Sequence, residues 1–255
     1  MTRDNLQDQL DQLCIQSRKA LAVLLDPDKV TPEAAGPVVR LLQEWGTDLL
    51  LVGGSHTQDN SIHELVRQIK AHSDLPVILF PGSSQQITAT ADAILLLSLI
   101  SGRNADLLIG RHVEAAPLLK HSGLQVLPTG YMLIDPGHLT TVQYISNTLP
   151  LPHDKPDLAA STALAGQQLG LRLIYLDGGS GAQRPVPPVL IAHVAREIHI
   201  PLIVGGGIRS AAAAGAAWQA GAQILVVGTG FEQDPEGSLI RDILSTKHML
   251  NLQAT

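Results

Sequence analysis

Leu171-Arg172-Leu173-Ile174-Tyr175-Leu176-Asp177-Gly178-Gly179-Ser180-Gly181-Ala182 opens as a buried strand, ends that strand in a carboxylate and turns through glycines. Two later stretches follow the same plan: Pro201-Leu202-Ile203-Val204-Gly205-Gly206-Gly207 and Gln223-Ile224-Leu225-Val226-Val227-Gly228-Thr229-Gly230. Each is an apolar run that stops at glycine, where backbone N–H groups can approach an anion without a Cβ in the way. Three such loops predict one shared phosphate site. Gly206 and Gly207 lead into a helix and Gly228-Thr229 ends the last strand, the pairing that barrels use for phosphate. The plain alternative is turn glycines needed for tight packing.

Working outward, the same strand-then-turn unit recurs upstream. Ala20 to Leu25 is apolar throughout, as a parallel strand covered on both faces requires, and ends in Asp26-Pro27-Asp28-Lys29. Asp48 to Val52 ends in Gly53-Gly54-Ser55, Pro76 to Phe80 in Pro81-Gly82-Ser83, and Leu124 to Leu127 in Pro128-Thr129-Gly130-Tyr131. Asp92 to Leu97 is a further strand. Helical spacing predicts a leading helix over 4–17 and crossover helices after Thr31 and near 58–70, 104–120, 156–169, 187–198, 210–220 and 236–247. Residues 132–155 read as a long irregular connection. Eight strands alternating with helices over about 250 residues predict an α/β fold, a (β/α)8 TIM barrel, as one domain over 1–255. A doubly wound open sheet is the alternative. One crossover is too short. Only residues 81–91 separate Phe80 from Asp92, and a crossover with its own helix needs about a dozen or more. The third helix is therefore expected to be missing or reduced to a turn. Either neighbouring helices close that gap, or it leaves an apolar groove.

Composition narrows the function. The net charge of −6 excludes a nucleic-acid footprint, so any phosphate must be held by loop dipoles, a metal or local cations. Charged residues make up 16%, below the roughly 25% usual in soluble domains, which points to a homo-oligomer or an apolar cleft. Cys14 is the only cysteine, which agrees with a cytoplasmic protein and leaves no cysteine metal site. The longest apolar run, Ala91 to Ile100, is far short of the roughly 18 residues of a membrane span, so any membrane contact would be peripheral.

Polar residues at the strand ends are the candidate site. Asp26 and Ser55, on adjacent strands, suit Mg2+, which keeps several waters and shares substrate phosphates; a turn and a cap would look the same. Asp177 would orient or deprotonate a substrate hydroxyl, or merely cap its turn. The histidines, among them His56, His63, His72, His112, His121 and His193, read as solvated surface, with no zinc-type spacing.

Taken together these stretches resemble one family. Leu25-Asp26-Pro27-Asp28-Lys29, Val52-Gly53-Gly54-Ser55, Phe80-Pro81-Gly82-Ser83, Pro128 to Asp135, Tyr175 to Ala182, Val204 to Ser210 and Val227-Gly228-Thr229 are similar, in order, to geranylgeranylglyceryl phosphate synthases and their bacterial heptaprenylglyceryl relatives. The Asp-Pro-Asp-Lys and Thr-Gly-Tyr segments look like the branch making the C20 product. The resemblance implies a Mg2+-dependent prenyltransferase that joins a prenyl diphosphate to the 3-hydroxyl of sn-glycerol 1-phosphate, with loss of diphosphate. It implies a barrel lacking its third helix, with the prenyl chain in an apolar groove beside the gap, near Tyr131 and Ser98. Asp26 and Ser55 would hold Mg2+. Tyr175, Leu176, Asp177, Gly178, Gly179, Ser180 and Gly181, with Gly206, Gly207, Gly228 and Thr229, would hold glycerol 1-phosphate, and Asp177 and Tyr175 would be catalytic. Relatives of that branch are often dimers or hexamers. The chain departs from the pattern in having Asp177 where the family has glutamate, and Pro136 where glycine is expected. The readings that remain beside this one are another phosphosugar or phosphometabolite barrel enzyme and a phosphate-binding homologue with weak catalysis.

Overall fold

The computed structural model describes residues 5–54, 61–234 and 236–253. In chain order the elements are α1 (Leu6–Ile15), β1 (Ala20–Leu25), α2 (Pro32–Trp45), β2 (Leu49–Val52), α3 (Ser61–His72), β3 (Val77–Leu79), β4 (Ala93–Leu99), α4 (Arg111–Ser122), β5 (Gln125–Leu133), α5 (Thr141–Ser146), α6 (Pro156–Gln168), β6 (Leu173–Asp177), α7 (Pro188–Glu197), β7 (Leu202–Gly205), α8 (Ala211–Gln219), β8 (Ile224–Val227), α9 (Thr229–Glu232) and α10 (Ser238–Gln253). The strands pair in parallel in sequence order, and β8 closes on β1 with Ala20 opposite Ile224 and Val23 opposite Val227. The fold is a closed α/β barrel.

The strand residues divide by alternation. Leu21, Val23 and Leu25 of β1 point out into the layer under the helices, while Ala20 and Ala22 point into the barrel. Both faces are buried, which is why these strands read as continuous apolar runs rather than alternating ones. At the N-terminal mouth α1 acts as a plug: Leu6 and Leu10 pack with the interior residues, and the Leu6 N–H donates to Gln125 Oε1 at 2.7 Å.

The same mouth is tied by polar side chains at the strand starts. Asp48 Oδ2 accepts from the Leu21 N–H at 2.7 Å and from Lys247 Nζ at 2.6 Å, and Lys247 also donates to Gly46 O at 2.9 Å. This joins β1, β2 and α10. Asp48→Ala leaves the largely buried ammonium with one backbone acceptor, and is expected to lower stability by about 2 kcal/mol, read as a lower Tm with unchanged catalysis.

Between β3 and β4 the described chain holds only a 3-10 turn, Ser84–Gln86. The crossover helix expected to be missing is absent there, and Leu96 and Ser98 of β4, on the face it would cover, stay half-buried. Other boundaries differ from the sequence reading. β5 runs on to Leu133, because Thr129 to Leu133 pair with Leu173 to Asp177, so Thr129 and Tyr131 lie inside the strand and not after it. A π-turn over Asp106–Gly110 precedes α4, and the connection expected to be irregular contains α5. Among the described residues no helix is long and apolar enough to cross a membrane.

Candidate active site

Two cavities open toward the C-terminal ends of the strands, one polar and one apolar. Gly54, Phe80, Tyr131 and Val142 line both and form their junction.

The polar cavity is built from the glycine loops. Gly179, Ser180 and Gly181 after β6, Gly206 and Gly207 after β7, and Gly228 and Thr229 after β8 line it together. Gly206 has φ +85°, and a Cβ there would stand 2.7 Å from Gly178 N, so only glycine lets the β6 and β7 loops approach this closely. Arg209 also lines the cavity, its Nη2 donating to Gly181 O at 3.4 Å. A concave, glycine-rich lining with two nearby cations, Lys29 and Arg209, suits a phosphate.

Asp177 closes the inner end. It is buried, its Oδ1 accepts from the Gly179 N–H at 2.7 Å, and its Oδ2 accepts from the Tyr131 hydroxyl at 2.6 Å. Burial pushes its carboxyl above the usual range; the two hydrogen bonds favour the ionised form but do not cancel the desolvation. Burial, reinforced by the Asp177 charge, holds the Tyr131 and Tyr175 phenols well above their ordinary value, so both stay protonated. The chain has only 2 Phe and 3 Tyr, yet Phe80, Tyr131 and Tyr175 gather here. Phe80 stacks on Tyr175 at 5.4 Å and 24°, and Tyr131 meets Tyr175 edge-on at 5.6 Å and 79°. These rings form the wall between the cavities and fix the Tyr131 hydroxyl on the carboxylate.

Asp26 lies across the polar cavity, at the end of β1. Its Oδ1 accepts from the Asp28 N–H at 3.0 Å and faces Gly54, whose missing side chain leaves room beside the carboxylate: a Cβ there would stand 3.2 Å from that oxygen. Lys29 Nζ is 2.7 Å from Glu232 Oε2 and 3.8 Å from Asp26 Oδ2. Among the described residues no three His, Cys, Asp or Glu form a metal cage. A single open carboxylate fits Mg2+, which retains waters and takes substrate phosphate oxygens as ligands.

The apolar cavity occupies the place of the missing helix. Phe80, Ile87, Leu96, Leu97, Ala115 and Leu119 line it, from β4, α4 and the short crossover. Its polar lining includes Ser83, Arg111 and His112, whose Nε2 stands 3.2 Å from Ser98 Oγ and whose basicity burial lowers.

A sequence profile of the PcrB family matches residues 14–247. The chain belongs to the PcrB family. Among the similar proteins is a geranylgeranylglyceryl phosphate synthase of Spirosoma linguale, 58% identical over 222 residues that cover 87% of this chain and 89% of that one. Another, of Thermococcus kodakarensis, is 46% identical over 220 residues, 86% of each chain. The crystal structure of (S)-3-O-geranylgeranylglyceryl phosphate synthase from Thermoplasma acidophilum in complex with sn-glycerol-1-phosphate superposes with a TM-score of 0.87 at 35% identity, covering 93% of this chain and 97% of that one. A tryptophan synthase alpha chain from Legionella pneumophila, at 15% identity and a TM-score of 0.59, shares the barrel fold alone.

In this PcrB-family barrel most of the residues expected from sequence come together around the polar cavity: Asp26, Tyr175, Asp177, Gly179, Ser180, Gly181, Gly206, Gly207, Gly228 and Thr229. Leu176 instead points outward into the helix layer, and Gly178 supports the loop without lining the cavity. Tyr131 lines the apolar cavity, and its hydroxyl donates to Asp177. Ser98 does not line the groove; its hydroxyl lies between His112 and Leu108 O. Ser55 and His56 lie outside the described residues. His112 is half-buried at the groove wall, not solvated surface, because the π-turn ahead of α4 brings it against β4. His63 also is not free, with Nδ1 2.7 Å from Thr88 Oγ1. Phe80, Val142 and Glu232 were not singled out from sequence; Phe80, one of two phenylalanines and directly after an apolar strand, was the one with a visible signal.

Proposed function

We propose that the protein is a prenyltransferase that joins a prenyl diphosphate, the C20 geranylgeranyl donor, to the 3-hydroxyl of sn-glycerol 1-phosphate and releases diphosphate. The observation that carries this reading is the meeting of a glycine-lined polar cavity and an apolar groove at the Asp177–Tyr131 pair. A phosphate monoester and a long prenyl chain need those two environments within bonding distance of each other. The names and the bound sn-glycerol-1-phosphate of the similar proteins support it.

The glycine loops hold the acceptor's phosphate and aim its glycerol toward Asp177. Tyr131 and the Gly179 N–H fix the Asp177 carboxylate so that it takes the proton of the 3-hydroxyl as the oxygen attacks C1 of the prenyl chain. Phe80, which lines both cavities and is backed by the buried Tyr175 ring, would stand near the allylic carbon, where positive charge develops. Asp26, with Ser55, would hold Mg2+, which when bound neutralises the leaving diphosphate. The groove walls align the chain and exclude water.

The exposed apolar side chains Ile109, Val113 and Tyr144 support a homo-oligomer, and the single cysteine supports a cytoplasmic location. Incubation with Mg2+, glycerol 1-phosphate and C20 or C35 prenyl diphosphate, followed by mass analysis of the lipid extract, tests the reading. A phosphorylated prenyl glycerol ether is expected, and its absence with both donors overturns it. Ala115→Trp, which fills the groove from α4, is expected to raise the KM of the C20 donor about tenfold or more while the KM of glycerol 1-phosphate stays within about twofold.

A further inference from the structure

Both substrates of this reaction are anions, a phosphate monoester and a diphosphate, and one polar cavity must hold them side by side. Among the described residues its lining carries the carboxylates Asp26, Asp177 and Glu232 against two cations, Lys29 and Arg209. Arg209 is committed to the β6 loop through Gly181 O. Lys29 stands elsewhere, at the seam where β8 closes on β1. On one side of its ammonium is Asp26, the residue of the donor's diphosphate. On the other is Glu232, at the end of α9, whose first residue is Thr229 of the acceptor's phosphate loop.

We propose that Lys29 is the shared counter-ion of the two anionic substrates, held between their subsites by Glu232. The inference rests on the prenyltransferase reading and deepens it. Two multiply charged anions in one low-dielectric cavity repel, and a cation between them turns that repulsion into two attractions. The lysine is built for this: its flexible side chain lines the cavity and is 43% exposed, while the Glu232 side chain, at 17%, is the less exposed anchor. The Glu232 charge is harmless to the substrates only while Lys29 balances it.

Calorimetric titration with sn-glycerol 1-phosphate, with and without Mg2+ and inorganic pyrophosphate, tests this. For the wild type the affinity is expected to stay within about threefold when pyrophosphate is present. For Lys29→Met, pyrophosphate should weaken it about tenfold or more, and the reverse titration should show the same factor, because coupling between two ligands is reciprocal. Lys29→Arg, which keeps the charge, should return to within about threefold, and Lys29→Met with Glu232→Gln should recover most of the loss. A merely structural lysine would change the melting temperature and each single affinity without changing their coupling. A Lys29→Met protein that binds both ligands together as the wild type does overturns the role of Lys29 alone. A wild type that binds neither ligand overturns the prenyltransferase reading and this inference with it.

Discussion

Asp177→Asn is expected to lower kcat by about 10³-fold while the KM of glycerol 1-phosphate changes little. The amide keeps the shape of the carboxylate: its oxygen can still accept from the Gly179 N–H, and its NH2 group donates to the Tyr131 hydroxyl, which turns to accept, so the loop and the aromatic wall should survive. What is lost is the carboxylate that, on the proposed reading, takes the proton from the attacking hydroxyl. The pH profile provides an independent readout. Burial raises the Asp177 carboxyl above the usual carboxylate range, and the base works only when ionised. The acid limb of kcat is therefore expected above that range, with activity lost as pH falls through the raised value. The same shift acts on stability in the opposite direction. A carboxyl whose folded value is raised favours the folded state most below its unfolded value, and that contribution is lost as pH rises through the folded value. Activity and this part of stability thus oppose each other across one titration. A wild-type acid limb within the ordinary carboxylate range, or an Asp177→Asn enzyme of near-normal kcat, removes Asp177 from the chemistry. The glutamate that the resemblance leads one to expect at position 177 is not expected to improve the enzyme. Aspartate already meets both donors, at 2.6 and 2.7 Å. An added methylene would push the carboxylate out of that cradle, and Asp177→Glu is expected to lose about tenfold in kcat.

Asp26→Asn is the second large effect. If Asp26 holds Mg2+ as proposed, turnover at saturating Mg2+ is expected to fall by about 10³-fold and the dependence on added Mg2+ to flatten, because a metal there would supply several kcal/mol of charge stabilisation at the leaving diphosphate. Folding should be retained, because an asparagine oxygen can still accept from the Asp28 N–H. Rates measured against Mg2+ concentration, with melting temperatures alongside, separate the two effects. Unchanged turnover in a folded variant removes Asp26 from the metal site.

The barrel was legible because its strands are covered on both faces. Runs such as Ala20 to Leu25 and Leu202 to Gly205 carry no polar interruption, and each stops at glycine or aspartate where the chain must turn. The missing helix was legible as simple chain length between Phe80 and Asp92. The glycine loops were legible for the same reason they work: only residues without a Cβ allow their approach. What sequence does not carry is direction. Leu176 adjoins Asp177, but strand alternation turns it to the helix layer. Ser98 sits on the groove strand, yet its hydroxyl faces His112. Tyr131 and Asp177 are far apart along the chain, and only the Thr129-to-Leu133 register against Leu173 to Asp177 places them together. The π-turn that aims His112 at β4 leaves no trace in hydrophobic spacing. The third difficulty is pairing between loops: nothing local to Lys29 or to Glu232 announces the other, because their contact exists only where the barrel closes.

Removing one helix from the wall also divides this barrel into two compartments that can change separately. The rim loops keep their glycine architecture whatever hydrocarbon enters from the flank, and the flank can be recarved without touching the rim. Substitutions in one compartment should therefore combine additively with those in the other, within a few tenths of a kcal/mol. The exceptions are the residues that border both, Gly54, Phe80, Tyr131 and Val142. A lineage adapting to longer or shorter lipids has wide freedom along β4 and α4, and almost none at those four positions.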